Sequence, residues 1–113
     1  MTILNVLLTS YFSDNTLRDC LRAQNTCFWR ISEENLLGCT HVRIWAEPGV
    51  AGHQLASSDD ATVCYTAPIT GWSSVPLLQG LHRIIEFTNQ NATMEERSDR
   101  PAMNRSGWCI TED

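Results

Sequence analysis

SSVPLLQGLHRIIEF, residues Ser73 to Phe87, is the stretch whose reading decides the fold. Leu77, Leu78, Leu81, Ile84 and Ile85 recur at helical spacing and form a wide apolar face, with Gln79, His82, Arg83 and Glu86 opposite. Ser73 or Ser74 stands where a helix cap belongs. Pro76 falls in the first turn, where a missing N–H costs nothing. The pattern predicts a helix near residues 75–88. Burying its apolar side chains would contribute about 2 kcal/mol each before entropy is charged.

Working outward toward the N-terminus, Ile3, Leu4, Leu7, Leu8 and Tyr11 also lie on one helical stripe. Leu17, Cys20 and Leu21 begin a second stripe, and Thr16 with Asp19 three residues on resembles a capping box. A helix or kinked pair over residues 2–25 is expected. The next segment, CFWRISEENLLGCTHVRIW (Cys27 to Trp45), reads as a hairpin. Cys27, Trp29 and Ile31 alternate with Phe28, Arg30 and Ser32, the period of a half-buried strand. Ser32 to Gly38 supplies a short helical turn ended by glycine. In the second strand Val42 and Ile44 suit the core, which turns His41, Arg43 and Trp45 outward. ATVCYTA, Ala61 to Ala67, gives a third strand that Pro68 closes.

The expected fold is therefore α+β. A small antiparallel sheet of three or four strands is packed by the N-terminal helical segment and the helix near 75–88. Residues 1–90 form the globular domain. Residues 91–113 are polar and charged, with the profile of a mobile tail that ends in Trp108, Cys109 and Ile110.

Composition narrows the function. A chain of 113 residues can bury a core without help from a metal or a disulfide. All eight basic residues are arginine, so chemistry that needs a lysine amine is excluded. The net charge of −5 repels phosphate backbones and argues against direct nucleic-acid binding, while favouring attraction to a basic protein. No apolar run is long enough to cross a membrane. Five cysteines at irregular spacing form no recognisable disulfide framework, which fits reduced thiols in the cytoplasm.

Few residues carry catalytic chemistry. Cys39 and His41 would share a strand face, about 7 Å apart, and His53 could join them in a pocket. A paired ligand motif for zinc is absent, so neither a metal nor a cofactor is expected. Tryptophan and arginine dominate binding hot spots. Arg30, Arg43, Trp45 and Trp108 are accordingly the expected partner-binding residues. The leading expectation is a small acidic, non-enzymatic regulator or inhibitor that occupies a partner protein's surface and forms a homodimer through open sheet edges. The alternative is a small α+β enzyme or ligand-binding domain using Cys39, His41 or His53.

Overall fold

The structure is a computed structural model in which residues 1–8, 16–47, 62–77 and 80–113 are described, apart from the side chains of residues 27 and 28. Strands carry most of it: β1 (Thr2–Leu8), β2 (Asn25–Trp29), β3 (His41–Ala46), β4 (Val63–Leu77), β5 (Gly80–Phe87), β6 (Thr93–Glu96) and β7 (Trp108–Glu112). Two short helices, α1 (Leu17–Ala23) and α2 (Glu33–Leu37), complete the described elements. The sheet is mixed and seven-stranded, in the order β2-β5-β4-β3-β1-β7 with β6 also on β4. That corrects the expected antiparallel sheet of three or four strands.

The expected helix near 75–88 is a β-ribbon. Leu77 pairs with Gly80, Val75 with His82 and Trp72 with Ile85. Gly80 adopts φ +120°, a backbone that L side chains rarely take, and the chain reverses there. Val75, Ile84, Ile85 and Phe87 are branched or aromatic residues that suit a pleated surface. His82, expected on a polar helix face, is buried, with Nδ1 3.0 Å from the Gly80 carbonyl.

The expected N-terminal helix over 2–25 is also corrected. Its first part is β1, hydrogen-bonded in parallel to β3 and antiparallel to β7. Ile3, Leu4, Asn5 and Val6 are all fully buried. A strand covered on both faces reads as a continuous apolar run, without the alternation that betrays a strand. α1 follows, with Thr16 as its N-cap and the Thr16–Asp19 capping box in place. Ser32 caps α2, which Gly38 ends.

Cys27 to Trp45 is not a hairpin. β2 pairs with β5, β3 pairs with β1 and β4, and α2 connects the two strands. Nor does Pro68 close the third strand. Residues 63–68 of β4 pair with β3, while residues beyond Pro68 pair with β5 across an irregularity between Ile69 and Gly71. Residues 91–113 supply β6 and β7 to the sheet.

The main core lies on one face. Leu4, Val6, Val42, Ile44, Val63 and Tyr65 from the sheet pack with Leu17 and Cys20 of α1 and Leu36 of α2. Burial of each large aliphatic side chain there is worth roughly 1.5–3 kcal/mol. Among the described residues no helix is long and apolar enough to cross a membrane.

Candidate functional site

The opposite face of β1, β3 and β4 is polar but largely closed to solvent. Strand register sets Asn5 beside Arg43 and Arg43 beside Thr66, with Leu7, Trp45 and Cys64 in the next row. The connection from β6 to β7, residues 97–107, crosses this face from one sheet edge toward the other. Arg97 sits 5.3 Å over the Trp45 ring, and Arg100 Nε lies 2.9 Å from Glu47.

That crossover places Arg43 and Trp45 inside, contrary to their expected exposure on an outer sheet face. Arg43 is 7% exposed and Trp45 0%. Arg43 Nε donates to Thr66 Oγ1 at 2.8 Å, and its Nη2 pairs with Asp113 Oδ2 at 2.7 Å. The hydrogen bond from Arg43 holds the Asp113 carboxyl below its ordinary range. Arg97 does the same for Asp99, through contacts of 2.8 and 2.6 Å. Trp45 Nε1 donates to Asn5 Oδ1 at 3.0 Å, while Asn5 Nδ2 donates to Thr111 Oγ1 at 2.9 Å. Every buried side-chain polar atom among the described residues has a partner, so this network is structurally complete.

The thiol and imidazole candidates are arranged differently from the expected pair. Cys39 precedes β3, so two-residue strand spacing does not relate it to His41. Its Sγ donates to the Asn35 carbonyl at 3.4 Å, whereas His41 Nδ1 is 2.8 Å from Thr40 Oγ1. Burial, helped by the charge of Glu112, pushes the Cys39 thiol up. Burial also raises Cys64, overcoming the opposing pull of Arg43 and Thr66, and raises Cys109. Each shift favours the protonated thiol over the nucleophilic thiolate. His53 lies outside the described residues. Among the described residues no three His, Cys, Asp or Glu side chains converge on a metal position.

Arg30 and Trp108, the other two expected partner-binding residues, are brought together. The sheet curls until the end of β2 meets the start of β7, and Trp108 Nε1 donates to the Arg30 carbonyl at 2.8 Å. Gly107 makes the approach possible. Its φ is +85°, and a Cβ there would lie only 3.2 Å from Trp29 Cζ3. The Arg30 guanidinium extends toward the ribbon turn, with Nη2 3.8 Å from where a Cβ on Gly80 would sit. Beside it the ribbon end exposes Leu77 and Leu81, which are 43% and 51% accessible.

Arg30, Trp108, Leu77 and Leu81 thus form one corner that combines a guanidinium, an indole and two exposed leucines. Sequence reasoning missed the leucines because the helical pattern assigned them to the core. It missed Asn5 because the helical reading left that residue off the apolar stripe, whereas the strand buries it. The available signal was a lone amide inside the apolar run Ile3 to Leu8, where a buried side chain needs hydrogen-bond partners. No family model, curated protein or solved structure matches this chain.

Proposed function

We propose that this chain is a small, cytoplasmic, non-enzymatic protein-binding domain, a regulator or inhibitor that acts by covering part of a partner protein through the Arg30–Trp108 corner. One observation carries the reading. Leu77 and Leu81 stand exposed at the end of a ribbon, beside the Arg30 guanidinium and the half-buried Trp108. Large aliphatic side chains in water gain roughly 1.5–3 kcal/mol each on burial. Arginine and tryptophan at the same place are the residue types on which interface energy concentrates. The net charge of −5 adds long-range attraction toward a basic protein, while the corner supplies the close contact.

The test is quantitative affinity capture with the wild-type protein, Leu81→Asp, Arg30→Glu, and Met94→Gln on exposed β6 as a control. Leu81→Asp and Arg30→Glu are each expected to weaken retention of the specific partner at least about tenfold, a loss of about 1.4 kcal/mol. Met94→Gln is expected to retain it. Equal retention by all four proteins contradicts the assignment of the corner.

A further inference from the structure

The arginines divide into two groups. Arg43, Arg97 and Arg100 each meet a carboxylate, at 2.7, 2.6 and 2.9 Å, and Arg18 and Arg22 flank Asp19 on α1. Arg30, Arg83 and Arg105 make no ion pair among the described residues. All three belong to the corner. Arg30 is exposed beside the ribbon turn. Arg83 donates through Nε to the Ile31 carbonyl at 3.2 Å and through Nη1 to Ser74 Oγ, two neutral acceptors that leave its charge unpaired. Arg105 is exposed in the turn Asn104 to Gly107, which leads into Trp108.

We propose that the partner segment seated on this corner carries a carboxylate, from Asp or Glu, next to large apolar side chains. The inference rests on the reading of the corner as the docking surface and adds the chemistry of what docks there. An occupant that covers Leu77 and Leu81 also strips water from the Arg30 guanidinium, which has no acceptor among the described residues and reaches the same ribbon turn. A desolvated guanidinium without an anion is strongly disfavoured. A purely apolar occupant would therefore lose at Arg30 what it gains at the leucines. A carboxylate answers the guanidinium with two parallel N–H···O bonds.

The corner's own acidic neighbours do not fill that role. No Asp or Glu occurs from Thr62 to Ile85. Glu33 and Glu34, the acidic residues nearest to Arg30 along the chain, form no ion pair with it. The chain as a whole carries −5, so the corner's arginines oppose the sign of the rest. That contrast separates a protein carboxylate from a nucleic acid or an anionic membrane. A polyanion facing the corner would also face the acidic remainder of the chain, which repels it. A lone carboxylate is felt only locally, within about 8 Å at physiological salt. The favoured partner is basic overall and acidic at the contact.

The test is selection of short random displayed peptides on the wild-type protein, with Leu81→Asp as the counter-target. Binders that need Leu81 are expected to be rich in Asp or Glu beside Leu, Ile, Phe or Trp. An enriched peptide and its amide form, with Asn or Gln in place of the acid, are then titrated by fluorescence anisotropy against wild type and Arg30→Gln. The amide form is expected to bind wild type about tenfold more weakly than the acid, and the two forms to bind Arg30→Gln alike. Binders that need Leu81 but show no excess of Asp or Glu overturn this inference and leave the corner standing. So do amide forms that bind wild type as tightly as the acids. Retention of wild type on phosphatidylserine vesicles, lost in Arg30→Gln, overturns it in favour of a membrane. A selection that yields no binder dependent on Leu81 counts against the corner itself, and the inference falls with it.

Discussion

Replacing Trp45 with alanine is expected to cost roughly 3–5 kcal/mol, a large share of the 5–15 kcal/mol typical of a whole domain. Trp45 is fully buried on the polar face, flanked in register by Leu7 and Cys64. Its removal opens a cavity beneath residues 97–107 and takes away the ring on which Arg97 rests. It also leaves Asn5 Oδ1 without its 3.0 Å donor. Urea unfolding should show the midpoint falling with the slope unchanged. The adjacent Cys64 provides a second readout. Burial holds it as a protonated, inaccessible thiol in the intact protein. With the indole gone, its maleimide labelling should accelerate at least about tenfold through local opening. A midpoint shift worth less than about 1 kcal/mol would contradict the closed arrangement of this face.

The next largest effect is expected at Asn5. Asn5→Ala should destabilise by about 2–4 kcal/mol, because an unpaired buried donor and lost packing add together. Asn5 joins three strands: it lies on β1, accepts from Trp45 on β3 and donates to Thr111 on β7. Removing it leaves the Trp45 indole N–H buried with no acceptor. Asn5→Leu restores volume but not the acceptor, so it should recover only part of the loss. Combined with Trp45→Phe, which removes the orphaned donor, the cost of Asn5→Leu should shrink by about 1–2 kcal/mol in a double-mutant cycle. Additivity within about 0.5 kcal/mol would mean that the Asn5–Trp45 bond contributes nothing. Because Asn5 also anchors β7, the alanine variant should loosen Trp108 and weaken partner capture at the corner.

Local signals in the sequence located local structure. The Thr16–Asp19 box and the Gly38 stop each depend on a few neighbouring residues, and each appears where the residues predict it. β3 and the start of β4 follow from alternation over a short window. Non-local pairing defeated the same approach elsewhere. Ile3 to Val6 is buried on both faces, because the core packs against one and residues 97–107 cross the other, so the strand period of β1 is hidden. Ser73 to Phe87 mimics a helical stripe because two of its leucines are exposed at a turn and never join a core.

The site was half legible for a related reason. Arg30 and Trp108 were identifiable by residue type, and the curl of the sheet places them in contact. Arg43 and Trp45 were equally plausible by type, yet the segment read as a polar tail crosses over them. Only knowledge that residues 91–113 supply strands at two separate sheet edges would have revealed that cover. His53 lies among residues whose structure is not described.

The corner depends on residues 72–77 and 80–87 forming an extended ribbon that carries Leu77 and Leu81 into solvent. Cα secondary chemical shifts across this stretch, with Hα–Hα contacts between facing strands, test that directly. Strand-type shifts on both sides of Gly80 and a contact between Trp72 and Ile85 are the expected result. A continuous run of helical shifts from Val75 to Phe87 would contradict it, returning the two leucines to a buried helix face and removing the surface on which the proposed function rests.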